Sequence, residues 1–149
     1  MALSEFNRRS LVKSLVCALC VAGLGGCRPK SGTAARKGKV RLGQAGSLKS
    51  GINLFSIERL AVIKENTELR AISLVCTHQN CLIRLNDSSQ TGRYVCACHG
   101  SRFDEQGRVL NGPASSDLPF YKILLNSQGE LEVDFSQVVD SRWSLVLSD

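Results

Sequence analysis

This sequence of 149 residues lacks a long apolar run, and it lacks a helical period after residue 40. Its apolar stretch Leu15–Gly26 has 12 residues, whereas crossing a bilayer as a helix takes about 20. A permanent membrane span is therefore a poor reading of it. Net charge is also nearly missing from most of the chain. The formal net charge is +6, yet residues 1–39 carry +7 and residues 40–149 carry −1. The basic balance belongs to the N-terminal segment, which excludes a basic nucleic-acid face on the folded part. Histidine is scarce, with only His78 and His99. There is no internal repeat and no low-complexity tract.

Hydrophobic residues make up 43% of the chain, so one core of ordinary size with a tail is feasible. Cysteine is abundant, with seven residues in two groups. Cys17, Cys20 and Cys27 lie in or beside the N-terminal apolar stretch. Cys76, Cys81, Cys96 and Cys98 lie mid-chain beside both histidines, and this is the informative group.

Asn7-Arg-Arg-Ser-Leu-Val-Lys-Ser14 resembles a twin-arginine export signal, with the apolar stretch as its core. The run ends in Leu24-Gly25-Gly26-Cys27, which looks like a bacterial lipoprotein box with lipid on the Cys27 sulfur. An uncleaved anchor from about Leu11 and an ordinary cleaved signal remain alternatives. Residues 28–39 are polar, basic and without apolar period, so they read as a flexible tether. Each basic residue there adds ~1 kcal/mol of attraction when held close to an anionic membrane surface.

From residue 40 onward short strands alternate with turns. Leu60–Ile63 precedes the turn Asn66-Thr67, and Leu69–Val75 is apolar on both faces, as expected of a strand between two layers. Leu82–Leu85 and Arg93–Val95 flank the polar loop Asn86–Gly92. Glu105-Gln106-Gly107 and Asn126–Gly129 read as hairpin turns. This spacing predicts an all-β antiparallel sandwich or barrel. Trp143, Leu145 and Leu147 in the tail are expected to form a last strand or to dock on the domain.

Two boxes carry the chemistry: Cys76-Thr77-His78-Gln79-Asn80-Cys81 and Cys96-Ala97-Cys98-His99-Gly100-Ser101. Each offers a thiolate, an imidazole and a further sulfur. Structural zinc usually takes Cys-x₂₋₄-Cys spacing, which a Cys-x-His start fits poorly. Four plain disulfide cysteines would suit an exported protein but would leave both histidines unexplained. A Cys-x-His box with a Cys-x-x-His box suits mixed ligation, two sulfurs on one iron and two nitrogens on the other.

These boxes resemble those of the Rieske iron–sulfur proteins, in the subgroup from quinol-oxidising cytochrome bc complexes. The resemblance implies a Rieske-type antiparallel β-sandwich with a small cluster-binding subdomain formed by two loops. It implies one [2Fe–2S] cluster per chain, with Cys76 and Cys96 on the inner iron and His78 and His99 on the outer. Cys81 and Cys98 match the pair that forms a disulfide between the two loops. Gly112-Pro113-Ala114 matches the loop that covers the third side of the cluster. The motif match spans residues 76–114, and weaker strand similarity extends it to about 42–135. The expected layout is therefore a signal at 1–27, a tether at 28–39, a Rieske domain at 40–135 and a tail at 136–149. Export in the folded state suits a cofactor inserted before translocation.

Replacing two thiolates by imidazoles raises the potential from about −400 mV, for plant-type ferredoxins, to about −150 to +300 mV. Ser101 matches a serine whose hydroxyl bonds a bridging sulfide and raises the potential further. Phe103 stands where high-potential relatives carry a tyrosine bonded to a ligand sulfur, so a potential below the top of the range is expected. Gln79 and Asn80 depart from the pattern, which usually has an apolar residue and a glycine at this docking tip.

The resemblance implies one-electron transfer as the iron–sulfur subunit of a quinol:cytochrome c-type oxidoreductase. A quinol or membrane cytochrome b would be the donor and a c-type cytochrome the acceptor. The chain itself is expected to contribute no catalytic site. The expected location is the outer, periplasmic side of a bacterial cell membrane, held by lipid or by an N-terminal anchor. A stand-alone periplasmic carrier, or the small subunit of an arsenite-oxidase-like molybdenum enzyme, is the alternative. An oxygenase would need a second iron site of two histidines and a carboxylate, and both histidines are already used.

Overall fold

Two neighbouring strands with apolar residues on both faces set the architecture. A computed structural model describes residues 36–86 and 92–148; the signal residues, Cys27 and the first part of the tether lie outside them. Its strands are β1 (Lys39–Gln44), β2 (Gly51–Phe55), β3 (Leu60–Glu65), β4 (Glu68–Ser73), β5 (Ile83–Leu85), β6 (Tyr94–Cys96), β7 (Arg102–Phe103), β8 (Val109–Asn111), β9 (Phe120–Leu125), β10 (Glu130–Val139) and β11 (Leu145–Val146). A single 3₁₀ turn, Ala45–Ser47, is the only helical element among the described residues.

All pairings are antiparallel. The larger sheet has the order β1-β10-β9-β4-β3-β2, with β11 also on β4; the smaller has the order β5-β6-β7-β8. The all-β fold with a small sheet carrying the two boxes agrees with the sequence reading. β1 begins within the last residue of the expected tether. The C-terminal tail adds the end of β10 and, through β11, a strand paired to Leu69 and Glu68.

Alternation along β3 and β4 separates two cores. Leu60, Val62, Leu69 and Ala71 face Tyr121, Ile123, Leu131, Val133 and Phe135, with Trp143, Leu145 and Leu147 packed against them. Ala61, Ile63, Ile72 and Leu74 face the other way, against Ile83, Tyr94, Phe103, Leu118 and Phe120. Cys76 and Cys96 belong to this second core. Full burial of each large aliphatic side chain contributes about 1.5–3 kcal/mol, so the wall under the boxes is well supported.

Turn chemistry fixes the register. Asn66, at φ 55°, turns the two-residue loop between β3 and β4. The β7–β8 and β9–β10 turns are the same device. Asp104 Oδ1 accepts the amides of Gln106 and Arg108 at 2.9 and 2.8 Å. Asn126 Oδ1 accepts those of Gln128 and Glu130 at 3.0 and 2.9 Å. Each turn then closes on a left-handed glycine, Gly107 or Gly129.

Gly107 also docks the small sheet on the large one. A Cβ there would sit 3.1 Å from both Ile72 Cδ1 and Leu118 Cβ, and its carbonyl accepts the Leu118 amide at 2.8 Å. At Gly100, also left-handed, a Cβ would meet nothing within 4 Å. Gly100→Ala is expected to cost about 1–2 kcal/mol for the backbone conformation alone. Gly107→Ala should cost clearly more, read as a lower denaturation midpoint for the holoprotein; equal losses would refute the docking role.

Candidate metal centre

The two boxes fold as copies of one another. In the first, the Cys76 amide donates to the Cys81 carbonyl at 2.9 Å and the Asn80 amide to the Cys76 carbonyl at 2.9 Å. In the second, the Cys96 amide donates to Ser101 at 2.8 Å and Gly100 to Cys96 at 3.0 Å. Both need a left-handed fifth residue, supplied by Asn80 at φ 57° and Gly100 at φ 76°. The first box is carried between β4 and β5, braced by the bridge Val75–Leu82, and the second between β6 and β7.

The copies face each other. A disulfide joins Cys81 to Cys98 across 17 residues, with Cα atoms 6.5 Å apart. Closing a loop of that size stabilises by about 3 kcal/mol in the chain-entropy account. The His78 and His99 rings meet edge to face with centroids 4.9 Å apart. Cys76 and Cys96 are free thiols, each 1% exposed, whereas His78 is half-buried and His99 exposed. The structure thus brings all six predicted box residues together.

A third segment closes the site. After β8, Gly112 and Pro113 are exposed and joined by a cis peptide, while Ala114 is buried. The Ala114 amide donates to Ser101 Oγ at 3.0 Å, and Thr77 Oγ1 donates to the Ser116 carbonyl at 2.5 Å. Each box is thereby tied to the proline loop. The Thr77 tie was not foreseen; a threonine between two candidate ligands gives no sign of its distant partner.

The electrostatics separate an inner from an outer half. Burial pushes the Cys76 thiol up, and the Cys96 sulfur beside it adds to this; the His78 amide and the Ser101 hydroxyl pull the other way. Those same donors stabilise negative charge on sulfur. Below, Tyr94 pairs with Phe103, and burial pushes its phenol up to about 12, so the floor is uncharged. Phe103 is fully buried in the core that holds both free cysteines.

The donor set fits a two-iron, two-sulfide core: two buried thiols in contact, and two imidazoles nearer solvent. The sulfurs of Cys81, Cys96 and Cys98 also lie within 4.8 Å of one another, but a disulfide offers no thiolate, so that trio is not a metal site.

Residues 36–122, more than half of the chain, match the Rieske [2Fe-2S] domain. The chain belongs to the Rieske family. Its cofactor is a [2Fe–2S] cluster and its work is electron transfer. It is 35% identical over 74 residues to the cytochrome b6-f complex iron-sulfur subunit of Chlorobaculum thiosulfatiphilum, covering 50% of this chain and 40% of that one. The corresponding subunit of Chlorobaculum tepidum is 27% identical over 88 residues, covering 57% of this chain and 48% of that one. The matches thus span less than half the length of these relatives. The crystal structure of the cyanobacterial plasma membrane Rieske protein PetC3 from Synechocystis PCC 6803 aligns with TM-score 0.46 and 28% identity, covering 64% of this chain and 98% of that one.

Two substitutions should move the Rieske potential in opposite directions. Ser101→Ala leaves the buried Ala114 amide without its acceptor, a loss of roughly 1–3 kcal/mol, and removes a donor to sulfur, so both Tm and potential should fall. Phe103→Tyr adds a donor and should raise the potential in protein-film voltammetry. An unchanged potential in either would refute its tuning role.

Proposed function

We propose that Cys76, Cys96, His78 and His99 hold the cluster, and that this chain is the iron–sulfur subunit of a membrane quinol:cytochrome c-type oxidoreductase. The observation that carries the reading is the graded site: two thiols 1% exposed at the floor, two imidazoles toward solvent, and the loops between them cross-linked. The relatives that the chain matches are iron–sulfur subunits of cytochrome b6-f complexes, which supports membership of a similar assembly.

When bound, the cluster takes up and releases one electron at a time. Cys76 and Cys96, buried away from water, would hold the cluster as thiolates and supply the negative charge that balances an oxidised core. The imidazoles of His78 and His99 would each hold the cluster through one ring nitrogen and leave the other available. That second nitrogen would be the atom able to hydrogen-bond a quinol hydroxyl. The Cys81–Cys98 bridge and the Thr77–Ser116 bond keep the rings in place. Reduction adds negative charge, which the Ser101 hydroxyl favours by donating toward the cysteine sulfur.

Among the described residues no helix is long and apolar enough to cross a membrane. We assign attachment to the N-terminal segment, through lipid on Cys27 or an uncleaved apolar stretch, with the domain on the outer face, because residues 7–27 resemble a twin-arginine signal ending in a lipoprotein box. The basic tether would let the domain travel between a quinol-side donor and a cytochrome acceptor.

The test is EPR of the dithionite-reduced holoprotein with iron and sulfide counts, and purification from detergent-solubilised membranes. Two irons and two sulfides per chain, an EPR signal altered or lost in His78→Ala and His99→Ala, and co-purification with a b-type cytochrome are expected. A cluster indifferent to both histidine substitutions would sink the ligand assignment. Quantitative recovery in the soluble fraction with no cytochrome partner would sink the complex.

A further inference from the structure

Arg59 lies outside both boxes, yet it grips the first one at both ends. It closes the turn between β2 and β3, and its backbone is left-handed at φ 53°. Its carbonyl accepts the Leu74 amide at 2.9 Å, two residues before Cys76. Its guanidinium Nη2 donates to the Asn80 carbonyl, one residue before Cys81 and two after His78. Asn80 is the left-handed residue on which the first box turns. The turn itself is fixed from the other side: Arg36 donates to the Glu58 carbonyl and lies 3.9 Å above the Phe135 ring.

A left-handed backbone disfavours every side chain with a Cβ, and glycine would make the same turn without strain. An arginine in that conformation directs attention to what its side chain holds. Here the side chain holds the box that carries His78, with a permanent positive charge.

We propose that Arg59 is a positioning residue for the cluster: it fixes the first box from outside, and its charge favours the reduced state. The proposal rests on the ligand assignment above. Reduction adds a negative charge to the site, and a cation on its flank lowers the energy of that state. Removing the cation lowers the reduction potential, and removing the bond frees the Asn80–Cys81 peptide.

Three variants of the holoprotein separate these effects, read by protein-film voltammetry, thermal unfolding and amide hydrogen exchange. Arg59→Gly relieves the backbone and removes the guanidinium. It is expected to fold, to have a lower potential, and to exchange the Asn80 and Cys81 amides severalfold faster than wild type. Arg59→Gln keeps a donor without charge and should also lower the potential. Arg59→Lys keeps charge and should restore the potential toward the wild-type value. Wild-type potential and wild-type exchange in Arg59→Gly overturn the proposal, as does Arg59→Lys behaving like Arg59→Gln. If Arg59→Gly does not fold, the contrast between Arg59→Gln and Arg59→Lys decides alone. A wild-type protein without iron and sulfide would instead refute the ligand assignment, and the exchange difference would still judge the grip on the box.

Discussion

The site depends on two loops from different hairpins being held face to face. Neither box is long enough to surround a cofactor, and each owes its shape to two backbone bonds across a left-handed fifth residue. What makes them one site is the cross-linking: the Cys81–Cys98 disulfide between them, the Thr77–Ser116 bond from the first to the proline loop, and the Ser101–Ala114 bond from the second. Three segments far apart in sequence become one rigid surround. Rigidity matters for electron transfer, because charge changes while the donors around it should not move.

That surround is only as firm as its base. β3 and β4 present alternate residues to two cores, so this strand pair is packed on one face by side chains of β9 and β10, from the same sheet, and of the tail, and on the other by the small sheet. Cys76 lies three residues beyond the end of β4, next to the Val75–Leu82 bridge, and Cys96 ends β6. Both sulfurs therefore inherit the position of buried strands, while both histidines stand one turn further out on the loops. Buried thiols and more exposed imidazoles follow from that chain geometry. The same burial that hides the thiols raises the Cys76 thiol, and the nearby amide and hydroxyl offset it.

Much of this was legible in the sequence because it is local. Apolar residues on both faces mark β3 and β4. Asp104–Gly107 and Asn126–Gly129 write their turns in side chains that bond their own backbone, and Asn66-Thr67 in an asparagine that tolerates the left-handed conformation. The box spacing is local too, since each Cys and His pair lies within four residues. Contacts between distant loops were not legible. Thr77 meeting Ser116, Gly107 wedged between Ile72 and Leu118, and Arg59 reaching Asn80 depend on how the sheets stack. The tail was ambiguous for the same reason: Leu145 becomes a strand because Leu69 of β4 offers it a free edge. The disulfide partners followed from family resemblance and not from spacing.

The departures from the family pattern at Gln79 and Asn80 take on a different meaning beside the second box. The fifth position must be left-handed, and Gly100 fills it in the usual way. Asparagine is the side chain that tolerates this conformation best, so Asn80 keeps the backbone that a glycine would give. Its amide still donates to Cys76, and its carbonyl still receives Arg59. The change therefore leaves the box intact and alters only its exposed tip, where Gln79 and Asn80 present polar groups beside the half-exposed Leu82. A tip of that composition desolvates less readily against an apolar surface. The shape of the first box and the polarity of its tip are thus set by different atoms of the same loop, backbone bonds for the first and the side chains of Gln79 and Asn80 for the second.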